Sequence, residues 1–165
     1  MEIRKAHQQD DFEAIGNIYA SSWKVAYQGI VPQDYLDALE GNRWATILAK
    51  AQYDAYVIMD GAKYAGTSSI CAARDENMAG WGEVISIYLL PEYFGAGYAQ
   101  PLLEGALNAL QSKGYRHAYL WVLEQNTRAR RFYEKQGFKA NHDFTTITIA
   151  GKELKELRYV KQLDG

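Results

Sequence analysis

The stretch Glu83-Val84-Ile85-Ser86-Ile87-Tyr88-Leu89-Leu90-Pro91, followed by Glu92-Tyr93-Phe94-Gly95-Ala96-Gly97-Tyr98-Ala99, decides the fold. Its first part is apolar on both faces of an extended chain, which predicts a strand buried in the middle of a sheet. Its second part brings glycines to the point where Leu102, Leu103, Ala106, Leu107 and Leu110 begin a helical stripe. A strand that ends in a glycine loop opening a helix is a ready anion site. Glycine lets the backbone approach closely, and the first helical amides have no partner inside the helix. A phosphate-bearing ligand is therefore expected on Gly95, Ala96, Gly97, Tyr98 and Ala99.

Toward the C-terminus the pattern repeats in a second form. Leu120-Trp121-Val122-Leu123 reads as a strand, Asn126 stands at the N-cap of a helix, and Gly137 at its C-cap before Phe138. Phe132 and Tyr133 are neighbours on that helix, about 100° apart, so one packs while the other points elsewhere. Two strands, 143–149 and 153–160, close the chain through Ala150-Gly151-Lys152. Toward the N-terminus, residues 2–6 read as a strand, and Phe12, Ile15, Ile18, Tyr19 and Trp23 recur at helical steps. Pro32 opens a short helix through Leu39, another covers 42–50, and strands 55–59 and 64–73 meet at the Asp60-Gly61 turn. This order predicts one domain, 1–165, with a mixed sheet covered by helices on both faces.

Composition narrows the classes. A chain of 165 residues with 48% hydrophobic and 23% charged residues reads as an ordinary globular domain. A net charge of −2 supplies no basic face for nucleic acid. A single cysteine, Cys71, excludes an internal disulfide and fits a reducing compartment, and the three scattered histidines offer no metal-ligand spacing. The charged start, Met1-Glu2-Ile3-Arg4-Lys5, carries no secretory pattern, and no apolar run approaches the ~20 residues needed to span a bilayer. A cytoplasmic protein without membrane or nucleic-acid partners is the expectation.

Glu83 enters the apolar strand, and strict alternation groups it with Ile85 and Ile87. A carboxylate beside an apolar cleft has a raised pKa and serves as a general base near neutrality; a solvated charge at a strand end is the plainer alternative. A dinucleotide fingerprint fits the glycine loop poorly, because Gln100 stands where the third glycine belongs and no acidic residue closes the next strand. No Gly-Lys-Ser/Thr ending is present either.

Together these residues resemble the GNAT family of acetyl-CoA-dependent N-acetyltransferases. Glu83 to Pro91 matches the strand before the family loop, Gly97 and Ala99 match the loop itself, and Asn126, Ala129 and Phe132-Tyr133-Glu134-Lys135-Gln136-Gly137-Phe138 match the second motif. Trp23 to Pro32 resembles the amino-terminal helix and loop of many bacterial members. The resemblance covers about a third of the chain directly. It implies a three-layer α/β (α+β) fold with a largely antiparallel sheet, and acetyl-CoA as acyl donor. The pantetheine arm would run along Ile87, Tyr88 and Leu89, with the pyrophosphate on the 95–99 amides and Asn126 and Tyr133 beside the arm and its sulfur.

The same resemblance makes Glu83 the base, directly or through water, and Tyr133 a hydrogen-bond donor to the departing thiolate. Full proton transfer from a phenol near ~10 to a thiolate near ~8.5 is uphill by roughly 2 kcal/mol, so hydrogen bonding is the expected role. Trp23, Tyr27 and Tyr35 would line the pocket of a small-molecule or peptide amine, and a homodimer is compatible with the fold. Phe94 departs from the family's Gln/Arg, and Ala96 adds no charge, which keeps a non-catalytic acyl-CoA-binding module as the alternative.

Overall fold

The computed structural model describes residues 1–50 and 52–163. Seven strands, β1 (Glu2–Lys5), β2 (Asp54–Asp60), β3 (Lys63–Ala72), β4 (Gly82–Leu89), β5 (His117–Leu123), β6 (Lys139–Ile149) and β7 (Lys152–Gln162), form one sheet in the order β1-β2-β3-β4-β5-β7-β6. All neighbours pair antiparallel except β4 and β5. Helices α1 (Phe12–Ala26), α2 (Gln33–Asp37) and α3 (Asn42–Ala49) precede β2, α4 (Ala99–Ser112) links β4 to β5, and α5 (Thr127–Lys135) links β5 to β6. The sheet is mixed, as the element order predicts, and largely antiparallel, as the family resemblance implies.

The two long helices, α1 and α4, each bury a defined stripe. The Asp11 side chain caps α1 by accepting from the Ala14 amide, and Ile15, Ile18, Tyr19 and Ser22 are buried at three- and four-residue steps. Tyr19 reaches the sheet through its phenol, 3.0 Å from Ser86 Oγ and 3.3 Å from Ser69 Oγ. On the opposite face, Leu103, Ala106 and Leu110 of α4 join Ile70, Val84, Leu120 and Val122 in the main core. Burying one such leucine contributes about 1.5–3 kcal/mol. Ala129, Phe132 and Tyr133 of α5 pack against the same core, so α4 and α5 share that face. Gly16 of α1 meets the Gly41 carbonyl where any Cβ would collide, which lets α3 press Trp44 against Tyr19 and Trp23.

One irregularity in β4 positions the functional site. Ser69 of β3 faces Ser86 and Ile70 faces Val84, so Ile85 is an extra residue without an opposite number. Such a bulge bends its strand and increases the local twist. On its other edge β4 pairs with β5 only at Gly82–Ala118 and Glu83–Tyr119, immediately before the bulge. Beyond Glu83 the two strands part. The bulge also resets the alternation that strict two-residue spacing predicts. Glu83, Ser86 and Tyr88 lie opposite Cys71, Ser69 and Thr67 on the α1 face, whereas Val84, Ile87 and Leu89 belong to the α4 face.

Candidate active site

The parting of β4 and β5 opens a cleft of about 660 Å³. One end is bounded by the β4 backbone, the 94–100 loop and α5; the other by α1, β5, β6 and β7. Leu90 donates its amide to Ala65 on the β3 side, so alternation turns the backbone groups of Ile87 and Leu89 toward the gap left by β5. At the mouth, the amides of Gly97, Tyr98, Ala99 and Gln100 donate to no protein acceptor among the described residues. Gly95 and Gly97 hold φ of +73° and +85°, and a Cβ added at either would enter open space. A run of free amides at a helix N-terminus, with room above the glycines, fits a pyrophosphate.

Phe94 does not leave this end without charge. The Arg128 guanidinium, from the first turn of α5, lies 4.7 Å from the Phe94 ring centroid, and both residues line the cleft. Asn126 caps α5 by accepting from the Ala129 amide at 3.3 Å, and its side chain also borders the cleft. Tyr133 faces the cleft with its ring edge-on to Phe138 at 5.9 Å, and its phenol has no hydrogen-bond partner among the described residues. Burial pushes the Tyr133 pKa up, and the Tyr88 phenol adds to the rise.

The other end is aromatic and acidic. Trp23 of α1 and Tyr27 just after it stand edge to face at 4.8 Å, and the Tyr27 and Tyr88 hydroxyls approach to 3.3 Å. Burial pushes the Tyr27 phenol up to about 12. Trp121, Leu123, Ile147 and Ile149 complete the walls. Two carboxylates, Glu83 and Glu156, line this end of the cleft together with one guanidinium, Arg74.

Glu83 departs from its expected chemistry. It is 1% exposed, and its Oε1 accepts from the Tyr119 hydroxyl at 2.7 Å and from the Arg74 amide and Nε at 3.1 Å each. Its Oε2 accepts from an Arg74 terminal nitrogen at 2.5 Å. Burial pushes the Glu83 pKa up, but the bonds from Arg74 and Tyr119 outweigh burial and the net shift is downward. The expected raised pKa is thereby corrected: Glu83 is a buried carboxylate, hydrogen-bonded by Arg74 and Tyr119, whose pKa is shifted down rather than up. Glu156 is its opposite. It is half-buried on β7, across from Leu123 of β5 and Thr145 of β6, and accepts no hydrogen bond from the described residues. Burial pushes its pKa up; the Arg74 charge opposes this and the Glu83 charge adds to it, leaving a net rise. Cys71, opposite Glu83 on β3, has a thiol pushed up to about 11 by burial and by Glu83, which disfavours the thiolate.

Ile87, Tyr88, Leu89, Gly95, Gly97, Ala99, Asn126 and Tyr133 from the sequence reading, with Trp23 and Tyr27, all border this cleft. Ala96 and Tyr98 do not; the Tyr98 ring packs on Tyr93 at 4.7 Å. Tyr35 is also outside, its hydroxyl taken by Arg43 at 2.5 Å. Sequence reasoning passes over Arg74, Trp121, Arg128 and Glu156. For Glu156 a signal exists: two-residue alternation from buried Leu154 to buried Arg158 places it on the inner face of β7.

The family model described as the acetyltransferase (GNAT) family matches residues 12–138. An uncharacterised N-acetyltransferase of Bacillus subtilis is 29% identical over 161 residues, covering 94% of this chain and 89% of that protein. A spermidine N(1)-acetyltransferase of Thermoplasma acidophilum is 28% identical over 144 residues, covering 84% of this chain and 88% of that one. Among solved structures, the PaiA N-acetyltransferase of Thermoplasma acidophilum, in complex with coenzyme A, shares the fold at a TM-score of 0.78 and 23% identity, covering 98% of each chain. A Salmonella typhimurium protein solved with acetyl-CoA gives a TM-score of 0.75 at 20% identity, covering 99% of this chain and 94% of that one.

Proposed function

Because the chain belongs to the acetyltransferase (GNAT) family and is an N-acetyltransferase, we propose that it moves an acetyl group from acetyl-CoA to a primary amine by direct attack within a ternary complex. The observation that carries this reading is the cleft between β4 and β5, with free amides at one end and aromatic and carboxylate side chains at the other. An extended donor entering at the first end meets an acceptor entering at the second.

The residues divide the work. The amides of Gly97 to Gln100 hold the pyrophosphate, and Arg128, steadied on Phe94, supplies the cation that Phe94 cannot. The Ile87 and Leu89 backbone groups bind the amide-bearing arm as a neighbouring strand would, and the Leu89 amide stabilises the oxyanion of the tetrahedral intermediate. Asn126 borders the arm while capping α5. Tyr133 donates a hydrogen bond to the thiolate as the C–S bond breaks. Its raised pKa keeps the phenol protonated, which favours hydrogen bonding over full proton transfer. Glu83 acts as a fixed negative wall rather than a proton shuttle, because its charge is paired with Arg74 and its Oε1 is occupied by Arg74 and Tyr119.

The amine class follows from the cleft's charge and aromatic walls and agrees with the relative that acetylates spermidine. The test is thiol release from acetyl-CoA with a panel of primary amines, spermidine included, beside calorimetric binding of CoA. Amine-dependent release supports the reading. CoA binding without turnover of any amine marks a non-catalytic acyl-CoA module instead.

A further inference from the structure

We propose that Glu156 receives the ammonium group of the acceptor and takes its proton before attack. This rests on the acetyl-transfer reading above and names the residue that makes an amine reactive there. The acceptor end holds two carboxylates and one guanidinium, and that guanidinium is committed to Glu83 by its Nε and a terminal nitrogen. Glu156 remains a cleft-lining carboxylate with no hydrogen bond or ion pair among the described residues. A half-buried carboxylate left without a donor is what a cationic ligand completes.

Its surroundings suit proton transfer. Leu123 and Thr145 flank Glu156 on the neighbouring strands, and neither donates to it. The titratable groups that face it are Arg74, Glu83 and Tyr27; Arg158, next but one along β7, is engaged by Asp75 and Asp143. An alkylammonium with a pKa of about 10 must lose a proton before it can attack a thioester. Glu156 takes that proton, becoming neutral as the ammonium becomes an amine. The amine nitrogen then forms the C–N bond at the acetyl carbonyl. As the tetrahedral intermediate collapses, the C–S bond breaks, and the second nitrogen proton passes to the thiolate within its hydrogen bond to Tyr133. Glu156 returns its proton to water when the products leave. Acetamide, free thiol and one released proton balance the reaction.

The experiment compares wild type with Glu156→Gln, which keeps size and removes the charge. Acetyl transfer to n-butylamine is followed from pH ~6 to ~10, beside transfer to aniline, an amine already neutral in that range. Loss of a positioned base commonly lowers rate by 10²- to 10⁴-fold, so kcat/KM for n-butylamine should fall about 100-fold near neutrality. The deficit should shrink as pH approaches the amine's own pKa. Transfer to aniline and calorimetric affinity for CoA should stay within about threefold. Equal losses on both amines, or a deficit that does not change with pH, would overturn the proposal. Should wild type acetylate no amine, binding of n-butylammonium is measured by calorimetry on both proteins. Weakened binding in Glu156→Gln would then uphold the ammonium site while the transfer reading fails, and equal binding would sink both.

Discussion

Arg128 offers the sharpest test of the proposed phosphate site, which has no polar residue at position 94. Removing its guanidinium in Arg128→Ala deletes one charge-assisted bond, worth about 1.5–3 kcal/mol for a charged pair. Arg128 is exposed, so solvent screening selects the lower end, and a loss near 1.4 kcal/mol is about tenfold in Kd. The ring that steadies it matters less. A cation–π contact at an exposed site is worth about 0.5–1 kcal/mol, so Phe94→Leu should weaken CoA by about two- to fivefold. Phe94→Arg is the informative reversal. From sequence alone a new guanidinium there adds a full phosphate contact, but in the structure it would crowd Arg128 and leave the apolar cluster of Leu89, Tyr93 and Leu102. Its net gain should therefore fall below about 1.5 kcal/mol. Titration calorimetry with CoA at ~50 and ~500 mM salt reads all three, because screening shortens from about 14 Å to about 4 Å over that range. The Arg128→Ala deficit should shrink at high salt. Unchanged affinity in that variant, or a loss equal at both salts, would refute the phosphate role.

Other expectations follow from single residues. Gly97 holds φ of +85° with open space above it, so Gly97→Val should cost about 1–2 kcal/mol in thermal or denaturant unfolding while abolishing CoA binding by filling the cradle; a variant that still binds CoA normally would remove the loop from the donor site. Tyr133→Phe should leave CoA affinity intact and lower acetyl transfer by ~10²-fold, as loss of one donor in a dry site does; an unaltered rate would release Tyr133 from its role. Glu83 has a folded pKa below its ordinary value, so its charge stabilises the protein above the usual carboxylate range, and this contribution is lost as pH falls through the folded pKa. Urea unfolding from pH ~6 to ~3 should show wild type losing stability that Glu83→Gln has already lost, and parallel curves would exclude the linkage.

The donor end of the cleft was legible in the sequence because one continuous stretch builds it. Buried β4, the glycine loop, α4, β5 and the Asn126-capped α5 follow one another, and each carries a local signal: apolar run, positive-φ glycine, leucine stripe, cap. The bulge at Ile85 was not legible. Nothing in Val84-Ile85-Ser86 marks an extra residue, since bulging depends on how Ser69 and Ile70 pair across β3. Missing it misplaces Glu83 by one face and hides its neighbours. The acceptor end was legible only in part: Trp23 and Tyr27 at the end of α1 are named from sequence, but Arg74 comes from the segment after β3 and Glu156 from β7, so their meeting with these aromatics is a property of strand order.

That division carries a physical consequence for specificity. Once β5 departs after Glu83, the backbone groups of Ile87 and Leu89 face an opening rather than a strand, and unpaired polar backbone in a half-buried cleft is costly. Any ligand that restores those bonds must be extended and amide-bearing, whatever it carries at its far end. On the proposed reading, donor binding rests on backbone geometry and tolerates side-chain change, and Arg128 over Phe94 supplies the charge that a polar residue at 94 would bring. Acceptor choice has no such backbone anchor. It depends on side chains from α1, β6 and β7 that can each change without disturbing the β4–β5 parting, and on a carboxylate pair of which one member is neutralised by Arg74 and the other is left open. Substitutions at Trp23, Tyr27, Ile147 or Ile149 should accordingly redirect the amine while leaving CoA affinity in place. A loss of CoA binding from any of these four would mean that the two ends of the cleft are coupled through the Tyr27–Tyr88 contact rather than independent.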